Sequence, residues 1–134
     1  MNRILITIFA VVIGVVVGNS VVSRNSQSVD KILERSAKKL NETLPMQVDK
    51  ETRLDTTVAG PGKKFTYLYT LPNLTKAECE KAGLIEKMRP TIVNAYKTTP
   101  ELKYERDHDV ELCYEYRDKD GIVVGSISVS PKDF

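Results

Sequence analysis

An alternating aromatic run, KKFTYLYTL at residues 63–71, constrains this fold more than any other feature of the sequence. Phe65, Tyr67 and Tyr69 occupy every second position, and side chains two apart on a β-strand lie on the same face. Three aromatic rings on one face are typical of a strand packed against a core, although they can also line a binding groove. We expect the packed strand, with this face at the centre of the hydrophobic core.

Two hairpins are predicted, one on each side of a helical region. Gly60-Pro61-Gly62 separates the aromatic strand from an earlier β-like run in which Leu54, Thr56 and Val58 alternate with their neighbours. Residues 109–129 predict the second hairpin, with its turn at Asp118-Lys119-Asp120-Gly121.

Helical spacing of apolar residues predicts one helix from Ser28 to about Leu44 and a second from Thr75 to about Thr98. Gly83 and Pro90 predict a break or kink within the second. The fold class is therefore α+β: an N-terminal transmembrane or signal helix, then one domain of order helix–hairpin–helix–hairpin. We expect a four-stranded antiparallel sheet with two helices on one face. The strand order stays open.

The stretch from Ile4 to Val17 carries no charge and follows only three residues, as in an export signal or a membrane anchor. No A-x-A cleavage motif follows it. We therefore favour an anchor that contacts the membrane through residues 4–22 over a cleaved signal peptide. This predicts a single-pass inner-membrane protein with its C-terminal domain in the periplasm; the alternative is secretion to the periplasm after cleavage.

Three segments are predicted: a membrane anchor or signal at residues 1–23, a polar linker at 24–28 and a single α+β domain at 29–134. The formal net charge of +2 comes from Arg3 and Arg24, so the domain is neutral. Because a nucleic-acid binder needs a basic excess to neutralise phosphates, nucleic acid is excluded as a partner.

Cys79 and Cys113 are the only cysteines of the chain. Two thiols in an exported domain favour a disulfide. Helical-wheel position and strand parity oppose it, because Cys79 lies opposite Met88 on a continuous helix and Cys113 shares its strand face with two glutamates. A break at Gly83 would release Cys79 from that wheel. We expect an intramolecular disulfide.

The weak polar site of the sequence is Asp107-His108-Asp109, which contains the only histidine. A zinc site usually recruits several His or Cys ligands, and strand alternation would send His108 and Asp109 to opposite faces. The favoured interpretation of the segment is a solvated start of a strand. We predict no catalytic residues, no metal and no cofactor.

Two segments, LPMQVDKETRLDTTVAGPGKKFTYLYTL (Leu44 to Leu71) and YEYRDKDGIVVGSISVSPKDF, resemble a family of small, uncharacterised bacterial proteins that carry a signal or an anchor. The shared features are a Leu-Pro…Val-Asp…Thr segment, the aromatic strand and a closing hairpin with Asp-Gly at its turn. The resemblance implies a bacterial protein facing the cell envelope. It implies no activity.

We therefore expect a membrane-tethered periplasmic module that acts by binding or assembly, with an envelope protein as partner. An enzyme is not predicted, because the sequence shows no nucleophile–base set, metal cluster or cofactor loop. Two alternatives stay open. One is a small envelope hydrolase or metal-dependent enzyme using the Asp107–Glu111 region, and the other is a structural accessory subunit of a membrane complex.

Overall fold

The computed structural model describes residues 28–133, so the predicted anchor or signal segment and most of the predicted linker lie outside the described residues. Within residues 28–133, a layer of helices packs against one face of a sheet. In chain order the elements are α1 (Val29–Asn41), β1 (Met46–Asp49), β2 (Thr52–Ala59), β3 (Lys64–Thr70), α2 (Lys76–Ala82), α3 (Leu84–Thr98), α4 (Lys103–Asp107), β4 (Glu111–Arg117) and β5 (Val123–Val129). Short 3-10 helices cover Pro100–Leu102 and Pro131–Asp133.

The five strands form one mixed sheet in the order β1–β2–β3–β4–β5. All neighbours are antiparallel except β3 and β4, which are parallel. The α+β class and both hairpins are confirmed, but the four-stranded antiparallel sheet with two helices is wrong. The short strand β1 is a fifth member. The helical connection from β3 to β4 returns the chain to the end of the sheet where β3 begins, and this crossover makes the pair parallel.

The aromatic strand β3 lies in the middle of the sheet. Its aromatic face packs in the core, as the alternation predicted. Phe65, Tyr67 and Tyr69 are fully or almost fully buried. The Tyr67 ring stacks on Tyr114 of β4 with centroids 5.1 Å apart, and Tyr69 stacks on Tyr116 at 5.0 Å. The parallel seam therefore carries a stack of tyrosines contributed by both hairpins, and helices α1 and α3 pack over the same core.

Helix α1 forms where its capping and spacing signals predicted. The Ser28 hydroxyl accepts a hydrogen bond from the Lys31 N–H at 3.2 Å, which satisfies one free donor of the first turn. At the other end, the Asn41 amide bonds both the N–H and the carbonyl of Thr57, at 2.8 and 3.0 Å. These bonds attach the end of α1 to strand β2.

The predicted break at Gly83 is confirmed. Thr75 and Glu78 form the capping box that begins α2, and Gly83 ends this helix with φ of 64°. Glycine adopts this left-handed conformation without the steric cost that a Cβ would add. Helix α3 begins immediately afterwards, and Pro90 lies inside it. Gly83 is therefore a corner between two helices.

The Asp118 carboxylate joins the β4–β5 turn to the beginning of α2. It accepts hydrogen bonds from the backbone N–H groups of Lys76, Asp120 and Ile122 at 2.8–2.9 Å. These bonds, first of all the one from Ile122, lower the pKa of Asp118. The turn that the sequence predicted is thus also the point where the second hairpin attaches to the helical layer.

Candidate functional site

The predicted polar site does not come together as a ligand set. Asp107 ends helix α4 and pairs with the Lys103 ammonium, whose hydrogen bond lowers the pKa of the Asp107 carboxyl. His108 stacks on Tyr104 with ring centroids 4.0 Å apart, and its Nδ1 lies 2.9 Å from the Tyr104 carbonyl oxygen. Asp109 is exposed, at a backbone φ of 56°. Each side chain is thus occupied locally or turned to solvent.

The prediction that this segment begins a strand is also wrong, because α4 extends to Asp107 and strand β4 begins only at Glu111. Across residues 28–133, no group of three or more His, Cys, Asp or Glu side chains is placed to hold a metal ion.

A buried carboxyl that the sequence analysis missed lies on the same helix. Glu105 is 1% exposed, and neither carboxyl oxygen has a hydrogen-bond partner among the described residues. The buried Tyr114 hydroxyl is also without one. Burial raises the pKa of Glu105 to about 7, and the residue's own backbone N–H and the Arg106 charge oppose this shift only in part. The sequence gives no signal of this burial, because Lys103, Arg106 and Asp107 around Glu105 are all charged.

The two cysteines are both free and both buried. Cys79 belongs to the core between helices and sheet. Cys113 pairs with Thr66 and Ser128 on the opposite side of the sheet. The wheel argument for Cys79 was wrong because Gly83 divides the helix, whereas the strand parity of Cys113 is as expected. The sheet thus lies between the sulfurs, and the structure holds no disulfide between them.

We expect two alkylated cysteines per chain when protein purified without reductant is unfolded and treated with iodoacetamide. In the folded protein Cys79 should react slowly, because burial, with the nearby charges of Asp118, Glu78 and Glu80, raises the pKa of its thiol to about 11. Intact-mass measurement counts the labels, and a reduced sample serves as the control. A chain that takes up label only after reduction would contradict this arrangement.

The sheet face opposite the helices, formed by outward side chains of β2 to β5 and called the open face below, is covered by no other described element. Val58 on β2 is 47% exposed there and Val123 on β5 is 45% exposed. Val58 was predicted to share a face with Leu54. A register shift between Leu54 and Thr56 turns Thr57 inward and Val58 outward instead.

Two charged pairs border the open face at one end of the sheet. Arg53 pairs with Asp55, whose carboxylate also accepts the Thr70 hydroxyl hydrogen bond. Arg117 pairs with Glu115 at 3.0 Å. Val123 pairs with Arg117 in the sheet register, so an accessible valine lies next to an arginine that has a carboxylate partner. Such a mixed composition is found in protein–protein interfaces.

A groove of about 320 Å³ lies at the β5 edge on the helix side of the sheet, between strand β5 and the corner at Gly83. Its β5 wall is Val124, Gly125 and Ser126, and the helix α3 wall includes Ile85. A Cβ on Gly125 would lie 3.0 Å from Ile85 Cγ1, so glycine is what lets the helix approach the strand this closely. Glu80 and Glu86 line the groove and give it an acidic margin. No aromatic or nucleophilic cluster accompanies them among the residues that line the groove.

The sequence profile of a domain of unknown function (DUF8479) matches residues 27–124. Among curated protein sequences, none is significantly similar to this one. Within residues 28–133, every helix is too short or too polar to cross a bilayer.

Solved bacterial structures share the fold. A Pseudomonas aeruginosa protein described as secreted is 13% identical with a TM-score of 0.63, over 75% of this chain and 88% of its own. The pilotin EpsS of the Vibrio vulnificus type 2 secretion system is 11% identical with a TM-score of 0.61, over 78% and 89%. The type II secretion pilotin AspS from Vibrio cholerae is 12% identical with a TM-score of 0.60, over 79% and 92%. At these identities the likeness shows the fold alone.

Proposed function

Because the chain belongs to the family of a domain of unknown function, DUF8479, we propose its role from its structure: an accessory module of the bacterial cell envelope that binds another protein during assembly. The observation that carries the proposal is the fold shared with two secretion-system pilotins over about four fifths of the chain. In this role the N-terminal apolar segment would be an uncleaved anchor in the membrane, and the domain that follows it would face the periplasm.

The surfaces of the domain support a binding role. The open face and the groove at the β5 edge offer exposed aliphatic side chains next to charged ones, including the arginines Arg53 and Arg117. Interfaces between proteins are enriched in arginine and keep a polar rim. In the Asp107–His108–Asp109 segment, by contrast, Asp107 and His108 are engaged in local contacts and Asp109 is exposed to solvent. No observation favours the hydrolase alternative over binding.

Photo-crosslinking in intact host cells tests the proposal. A photoreactive residue replaces Thr66 on the open face, Glu86 at the groove, or Lys38 on the outer surface of α1 as the matched control. We expect one envelope protein to be captured at Thr66 or Glu86 and not at Lys38. Removal of the gene should then reduce the amount of the assembled partner complex on native gels.

Capture of no envelope protein, or equal capture of many proteins at all three positions, would contradict the proposal. Co-purification from detergent separates the remaining alternatives. A partner held at a fixed ratio indicates a structural subunit, and a partner released after assembly indicates an accessory factor.

A further inference from the structure

Strand β5 is the edge of the sheet and differs from the opposite edge. It pairs with β4 on one side, and no described strand pairs with its other side. Proteins usually protect such an edge with charges, proline, bulges or a very short strand. The opposite edge, β1, has only four residues and an irregular register between Gln47 and Asp49. Strand β5 has seven residues, VVGSISV, with neither a charge nor a proline.

The register of β5 is regular where a partner strand would need it. Its one irregularity lies at the beginning, where Tyr116 pairs with Gly125 and Arg117 with Val123. From Gly125 to Val129 the pairing with β4 is continuous. Ile122 and Val123, at the start of this edge, are each about half exposed. From Gly125 to Val129, β5 is therefore a regular, uncharged template for main-chain hydrogen bonds.

The charged residues that line the groove beside this edge are acidic. Glu80 and Glu86 line it, and Cys79 at its wall lies in the field of Asp118, Glu78 and Glu80. Glu80 and Glu86 do have cationic neighbours, Lys76 at 3.9 Å and Arg89 at 3.5 Å. The four side chains are between 43% and 79% exposed, and ion pairs at such exposure contribute less than about 1 kcal/mol. A basic side chain of a partner can therefore replace either neighbour at little cost.

We propose that β5 binds an extended segment of a partner polypeptide as a sixth strand, with basic side chains at alternate positions directed into the groove at Gly83. Because side chains of a strand alternate between two faces, every second residue of the segment would face Glu80 and Glu86. The residues between them would lie over the open face near Val123. This inference rests on the proposed binding function and assigns its partner chemistry.

The probe is a fluorescent peptide, Lys-Val-Lys-Val-Lys-Val-Lys, titrated into the full-length protein in detergent. We expect saturable binding by fluorescence anisotropy. Hydrogen–deuterium exchange should slow in residues 123–129 and not in α1. A peptide with Glu in place of every Lys reverses the charge, and one with Pro in place of the central Val lacks a main-chain donor. Each should bind at least about tenfold more weakly, which corresponds to about 1.4 kcal/mol.

The matched variants are two double substitutions of exposed glutamates. Glu80→Gln with Glu86→Gln should weaken the basic peptide at least about fivefold. Glu34→Gln with Glu101→Gln, which removes the same charge elsewhere, should change the affinity less than about twofold. Absence of saturable binding, slowed exchange away from β5, or equal losses in both double variants would overturn the inference.

The two proposals fail separately. If an envelope partner is captured in cells while the peptide does not bind at β5, the accessory function stands and the edge assignment falls. If the peptide binds at β5 and no envelope protein is captured in cells, the edge assignment stands and the proposed function falls.

Discussion

Replacement of Glu105 by Gln is expected to raise the free energy of unfolding at pH 8 by up to about 3 kcal/mol, since each pKa unit is worth about 1.4 kcal/mol. The Glu105 carboxyl has an ordinary pKa of 4.5 in the unfolded chain and a pKa of about 7 in the folded protein. Between these values the folded state binds more protons. Stability contributed by this residue is therefore present below pH 4.5 and lost as the pH rises to about 7.

Urea unfolding of both proteins across pH 4 to 8 measures this effect as a difference, in which the other titrating groups cancel. The groups that influence Glu105 come from three elements: Tyr96 on α3, Tyr104 and Arg106 on α4, and Tyr114 on β4. Glu101→Gln is an exposed change in the same connection. Its difference in unfolding free energy from the natural protein should stay constant across this pH range. A variant less stable than the natural protein at pH 8 would show that Glu105 has a partner when ionised.

Replacement of Tyr67 by Ala is expected to lower the free energy of unfolding by about 3–5 kcal/mol, as for other buried aromatic residues cut to Ala. The Tyr67 side chain is fully buried, stacks on Tyr114 and meets Phe65 edge-on at 5.3 Å. The change removes the ring at the middle of the stack, and the helices above it cannot collapse fully into the space. This loss is a large part of the stability of a small domain.

Thr66→Ala is the matched control for Tyr67→Ala, because it is the next residue of the same strand and lies on the open face. It should cost less than about 1 kcal/mol, as usual for substitutions away from the core. Urea unfolding of the two variants compares them directly. Comparable losses at both positions would mean that the open face is covered as tightly as the helical face.

Local signals in the sequence were sufficient for most of the elements. Period-two aromatic residues located β3, the Thr75 capping box located α2, and Gly83 located the corner between the helices. Each of these signals acts within a few residues of chain, where conformational preference and burial agree. For the same reason both hairpin turns were predicted correctly.

Features that depend on distant parts of the chain could not be predicted. Strand β1 is four residues long and is stabilised by its pairing with β2 rather than by its own composition. The direction of β4 relative to β3 depends on how the helical connection crosses the sheet. Glu105 was missed because its neighbours in sequence are charged, whereas its neighbours in space are tyrosines. The groove combines residues from α2, α3 and β5, so no single segment indicates it.

The parallel seam between β3 and β4 also makes the two halves of the chain interdependent during folding. Lys64 pairs with Glu111 and Thr70 with Arg117, so each contact closes a loop of more than forty residues. The stacking of Tyr67 on Tyr114 and of Tyr69 on Tyr116 can form only after the final hairpin has been synthesised. The entropy cost of closing these long loops is offset only by the core contacts that form afterwards. A chain interrupted after α3 cannot form those contacts, so it gains little stability. We therefore expect the domain to become stable only once the final hairpin is available for pairing.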